Sequence, residues 1–161
     1  MRSLNAVRAM DAAAARVMER VSLAWETGDY ATLRTQLHPR GAWVFVSGNL
    51  RMIFDPDELV DAIRHEQENA SYKLYSVTHE SLGGTVVLAG AYIRTSVGTT
   101  GQRCGRHTFL CEVRDGLFFR SEHFHSEHEA RAAFDNGWGL QELAFEEGPV
   151  RQGVEQHALS A

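Results

Sequence analysis

SYKLYSVTHESLGGTVVLAGAYIRTSVGTTGQRCGRHTFLCEVRDGLFFRSEHFHSE, residues 71–127, is the stretch whose reading decides the fold. It contains four β-rich runs, SYKLYSVTHESL, TVVLAGAYIRTSV, QRCGRHTFLCEVR and LFFRSEHFHSE. Turn chemistry separates them: Gly83-Gly84, then GTTG, then Asp115-Gly116. The GG and DG pairs suit short hairpins, so the runs should pair in sequence order as an antiparallel meander. Along the second run, alternation sets Val87, Ala89, Ala91 and Ile93 on one face. It sets Val86, Leu88, Gly90, Tyr92 and Arg94 on the other.

Upstream the texture is helical. From Asp11 to Thr27, Val17, Val21, Ala24 and Trp25 recur at helical spacing, and Gly28 stops the run. Asp29 then caps a short helix, DYATLRTQL, which ends at His38-Pro39. GAWVFVSGNLRMIF (residues 41–54) alternates and turns at Ser47-Gly48-Asn49, predicting a strand and a short return strand. Asp55-Pro56-Asp57-Glu58 supplies an N-cap, a proline at N1 and a carboxylate at N3 for the helix ELVDAIRHEQE. Past the meander, Ser126 and Glu129 match a capping box for a short helix, EARAAF. The expected architecture is α+β, with three N-terminal helices on an antiparallel sheet. One domain is expected over residues 1–134. A partly docked C-terminal extension, 135–161, carries Trp138, Leu140, Leu143 and Phe145.

Composition bounds the function. Of the 161 residues 43% are hydrophobic and 23% charged, an ordinary globular balance. No apolar window is long enough for a membrane span, and the N-terminus lacks a signal-peptide core, so a cytoplasmic location is expected. A net charge of −5 without a basic stripe argues against a nucleic-acid partner. The two cysteines, Cys104 and Cys111, fall on one expected strand about 23 Å apart, too far for a disulfide.

The order of elements resembles the SnoaL-like group of the nuclear transport factor 2-like superfamily, whose relatives include ketosteroid isomerase and scytalone dehydratase. The resemblance runs from Asp11 to Ala133, through the helix ending in GD, the "LHP" stop, "DPDELVDAI" and the last hairpin "VRDGLFFRSEHFHSE". It implies a strongly curved sheet forming a cone-shaped pocket that the helices close. It also implies a frequent homodimer, and activities ranging from polyketide cyclase, dehydratase and isomerase to epoxide hydrolase and non-catalytic binding. The isomerase's own acids do not carry over: its base aligns with Val46 and its oxyanion donor with Thr108.

Setting the last hairpin beside the family's turns Arg106, Thr108 and Leu110 inward from the third run and Ser121, His123 and His125 inward from the fourth. A one-residue bulge would instead bring in His107, Glu122 and Phe124. Ala89 and Ala91 leave room for a ligand, with Trp25, Trp43 and Ile63 as further walls. Within SEHFHSEHE (121–129), His123 and His125 share a strand face. Imidazole titrates near neutrality, so either histidine could take a proton beside a carbonyl while Arg106 steadies the enolate. The expected function is a cofactor-free cyclase, dehydratase or isomerase acting on a hydrophobic, polyketide-like carbonyl compound. The alternatives are a non-catalytic small-ligand binder, or a metal site built on these histidines with Glu127, His128, His79 or His107. On the outer face, Val86, Leu88, Tyr92, Phe109, Cys111 and Val113 would form an apolar patch for a homodimer.

Overall fold

A computed structural model of the chain describes residues 4–41, 55–69, 72–97 and 101–138. Three helices come first: α1 (Leu4–Thr27), α2 (Tyr30–Gln36) and α3 (Pro56–Glu68). Four strands follow, β1 (Tyr72–Gly83), β2 (Val86–Val97), β3 (Gly101–Arg114) and β4 (Leu117–Phe124), and then α4 (Glu127–Asp135). The strands form one antiparallel sheet in the order β1-β2-β3-β4, the meander that the turn residues predict. Residues 42–54, which hold Trp43 and nearly all of the expected strand pair, lie outside the described residues.

The local signals act as their chemistry requires. Helix α1 begins before Asp11 because nothing in LNAVRAM breaks it, and it ends where Gly28 adopts φ +71°. Asp29 accepts from the Thr32 amide. Asp55 accepts from the Asp57 and Glu58 amides at 2.8 and 3.0 Å, and Glu58 returns the bond to complete the capping box. Ser126 caps α4 by accepting from the Glu129 amide, as expected.

The main core lies between the helices and one sheet face. Ala14, Val17, Val21, Ala24 and Trp25 of α1, Leu33 of α2, and Leu59, Val60 and Ile63 of α3 meet Val87, Ala89, Ala91 and Ile93 of β2. Ala89 and Ala91 are thus helix-facing, as the alternation predicts, but they are packed core residues rather than open space. Trp25 and Ile63 are buried in the same core.

On β3 the expected face is reversed. Phe109, Cys111 and Val113 join the main core, whereas Thr108, Leu110 and Glu112 face away from it. An unbroken two-residue hairpin at Asp115-Gly116 would pair Cys111 with Arg120 and Thr108 with His123. Instead Val113 pairs with Phe118 and Glu112 with Arg120, leaving Phe119 as an extra residue. The bulge has a physical cause: without it Arg120 would share the core face with Cys111 and bury a guanidinium among hydrocarbon. Phe118 stays opposite Val113 in the core in either register, and with the bulge Arg120 lies opposite Glu112, where Arg120 Nε donates to Glu112 Oε2 at 2.5 Å.

The outer face is correspondingly less apolar than expected. Helix α4 covers part of it, setting Ala130 with Val86, Leu88 and Leu110, and Phe134 and Trp138 pack alongside. Tyr92 remains exposed. Among the described residues no helix is long and apolar enough to cross a membrane.

Candidate active site

Cross-strand register brings the imidazoles together. His79 of β1 pairs with Ala89, Ala89 with Phe109, and Phe109 with His123, so one row crosses the helix-facing side of the sheet from His79 to His123. The next row holds Ala91 opposite His107. His107 and His123 are therefore diagonal neighbours on adjacent strands, close enough for large rings to touch. His107 Nδ1 lies 2.9 Å from His123 Nε2, and the ring centroids are 5.0 Å apart. Phe109 lies 5.1 Å from His123 on one side, and the exposed His125 stands edge-on at 6.2 Å on the other. Gly105, the residue before Arg106 on β3, leaves His107 Nε2 unobstructed by a side chain at its own position.

Burial shapes the electrostatics. It depresses the His123 pKa to about 4, with further repulsion from His107 and His125. Burial lowers His107 as well. Both rings are neutral at pH 7, and a neutral imidazole has one N–H and one lone pair. In their shared hydrogen bond one ring donates and the other accepts. Whichever way the bond runs, the two remaining nitrogens, His107 Nε2 and His123 Nδ1, comprise one N–H and one lone pair. The pair can accept a proton at one end and release another at the other without acquiring charge.

These shifts carry a stability consequence. Each ring's folded pKa lies below the ordinary value, so the unfolded chain binds more protons at mildly acidic pH. Stability should be unaffected above about pH 6.5, fall as pH drops from there, and level off near pH 4, where folded His123 also charges. Thermal melts across that window check this, and His123→Gln should flatten the curve.

His79 is a third buried imidazole, also depressed by burial. Its Nε2 lies 2.9 Å from the Ser22 hydroxyl of α1, which ties it to the helix.

Of the residues expected in the site, His123 and Ser121 lie on the helix-facing side, Ser121 fully buried opposite Cys111. Arg106, Thr108 and Leu110 do not. They lie on the opposite face, where Leu110 is buried beneath α4 and Arg106 is exposed, so Arg106 cannot steady charge that develops beside His123. His107 takes the inward place instead. The β2–β3 pairing opposite Ala91 sets it there, and Arg120, whose charge forbids the unbulged β3–β4 register, is the signal that His123 shares its face. Among the described residues no three of His, Cys, Asp or Glu are arranged to hold a metal ion.

The sequence matches no family model and no curated protein. Solved structures do match. A putative polyketide cyclase from Xanthomonas campestris pv. campestris superposes with a TM-score of 0.57 at 19% identity, covering 74% of this chain and 95% of its own. An LEH-like epoxide hydrolase from M. tuberculosis gives 0.56 at 16%, covering 78% and 92%. The Δ5-3-ketosteroid isomerase of Mycobacterium sp. gives 0.54 at 14%, covering 71% and 93%. The chain has the fold of the nuclear transport factor 2-like proteins, an α+β fold in which helices pack on an antiparallel sheet. Within that fold it is similar to cyclase, isomerase and hydrolase members alike.

Proposed function

We propose that the protein is a cofactor-free lyase or isomerase that moves a proton on a small hydrophobic carbonyl compound, with His107 and His123 as its acid–base pair. The observation that carries this reading is the 2.9 Å contact between two half-buried, neutral imidazoles on the helix-facing side of the sheet. A single His123 base would have to become an imidazolium where burial penalises that charge. A relay avoids it. The lone-pair nitrogen takes the proton from the carbon next to the carbonyl. The shared proton shifts across the pair, and the N–H nitrogen delivers its own proton to the carbonyl oxygen, giving the enol. Reversal with the opposite facial or positional preference isomerises the substrate; expulsion of a β-hydroxyl as water dehydrates it.

His125 links this pair to solvent, which allows exchange between turnovers. Trp25, Ile63, Ala89 and Ala91 are packed in the core behind this pair, and Ser121 is buried beside His123 on β4, so in this reading the substrate meets the two rings where His107 and His123 are half-exposed. A homodimer through the outer face would use the exposed strip around Tyr92 that α4 leaves bare.

Solvent-deuterium exchange tests the proposal without knowledge of the substrate. The protein should catalyse incorporation of deuterium α to the carbonyl in some members of a panel of cyclic and aryl ketones, followed by NMR. No acceleration with any member, alongside saturable binding of the same ketones, would make the chain a binder instead.

A further inference from the structure

On the face opposite the His107–His123 pair, β1, β2, β3 and the start of α4 border a cleft of about 150 Å³, which His79 and Ala89 also help to line. Its lining includes Thr78, Glu80, Leu88, Gly90, Arg106, Thr108 and Glu127. Gly90 makes its floor: a Cβ there would come within 3.0 Å of Thr78 Oγ1 and 3.1 Å of Arg106 Nη2. The Arg106 guanidinium therefore lies over the strand at Gly90 while the residue stays exposed to solvent.

The charges are unevenly matched. Glu80 and Glu127 both bind Arg131, the first through both carboxylate oxygens and the second at 2.7 Å. Arg106 has no hydrogen bond or ion pair among the described residues. Thr108, a residue 7% exposed, stands on the same wall, and its hydroxyl has no hydrogen-bond partner among the described residues and is not one of their fully enclosed polar atoms, so it opens onto the cleft. A guanidinium fork and an adjacent hydroxyl, both bordering one small cleft, make a receptor for a planar carboxylate. Two carboxylates share the single cation of Arg131, so a residual negative charge borders the cleft and disfavours a dianion. The same two groups can accept a hydrogen bond from a ligand donor. The volume is below the roughly 300–1,000 Å³ of a drug-sized site.

We infer that this cleft is a binding site for a small monocarboxylate carrying a hydroxyl or ammonium next to the carboxylate, a 2-hydroxy or 2-amino acid. The carboxylate lies on Arg106 and Thr108, the donor faces Glu80 and Glu127, and a short side chain rests on Leu88. The site is separate from the imidazole pair and does not depend on its chemistry.

The test is an amide NMR titration of the full chain at constant ionic strength with L-lactate, propionate and inorganic phosphate in turn. Lactate should saturate in the millimolar range, about 1–10 mM, and shift amides of β1–β3 around Gly90. Propionate should bind more weakly for want of its hydroxyl, and phosphate more weakly still. Arg106→Gln should weaken lactate by about tenfold or more, the loss expected for a charge-assisted hydrogen bond. Gly90→Ala should weaken it too, because the new methyl displaces the guanidinium, a flexible group that can move without loss of fold. His123→Gln should leave it unchanged. Shifts that never saturate, phosphate binding as tightly as lactate, or lactate binding intact in Arg106→Gln would each overturn the proposal.

Discussion

His123→Gln and His107→Gln should each lower turnover by about 10²–10⁴-fold, the usual contribution of a positioned acid or base. Glutamine keeps hydrogen-bonding capacity and approximate size but cannot shuttle a proton between two ring nitrogens. Because the rings work through one shared bond, the double variant should be little worse than either single one. His125→Gln should cost only a few-fold, since that ring is exposed and does not share the bond. The pH profile separates a relay from a lone base. The pair is neutral at pH 7, and activity should stay level through neutrality and fall only as pH approaches the His123 value of about 4. A lone base with an ordinary imidazole pKa would instead lose half its rate near pH 6.5. If His107→Gln keeps full activity while His123→Gln does not, the relay fails and His123 acts alone. If neither matters, the chemistry lies elsewhere.

What could be read from the sequence divides by range. Asp55-Pro56-Asp57-Glu58, Gly28 and Ser126 announce helix ends because each satisfies amides or a backbone angle within four residues of itself. The meander order was equally legible, since Gly83-Gly84 and Asp115-Gly116 dictate hairpins locally. Face assignment was not, because strand parity accumulates along the chain and a single extra residue inverts it. Phe119 is that residue. Counting back from Asp115-Gly116 without it predicts Arg106, Thr108 and Leu110 beside His123. With it, His107 and Phe109 take those places. Beta1 carries a second irregularity between Tyr75 and Thr78, where Ser76 adopts φ +52°, and yet His79 still returns to the helix-facing side. The information was present in Arg120, but only to a reading that asked where each charged side chain would be buried.

Glu112→Ala should be the most damaging single change to stability, costing about 3–5 kcal/mol, and it tests that account of the register. Glu112 and Arg120 are each about 6% exposed in their side chains, and the guanidinium also lies 5.0 Å over the Trp138 ring. Removing the carboxylate leaves Arg120 charged, buried and deprived of its ion pair, a cost that exceeds the lost attraction itself. For a chain of this length the melting temperature should fall by about 6–20 °C. Arg114→Ala is the control. Its side chain also contacts Glu112 but is 43% exposed, so the loss should be within about 1 kcal/mol. Replacing both partners, Glu112→Leu with Arg120→Met, should recover most of the stability because no buried charge remains. The double variant also separates stability from register. The bulge places Arg120 away from the core, and a methionine at 120 is at ease on either face. The hairpin would then be free to slip to its unbulged pairing, with Cys111 opposite residue 120 and Thr108 opposite His123. A stable double variant with amide exchange and activity like the parent would show that Phe119 alone sets the bulge. A stable one that has lost the His107–His123 contact, read from imidazole nitrogen shifts, would show that one buried ion pair on the far side of the sheet decides which residues face the substrate.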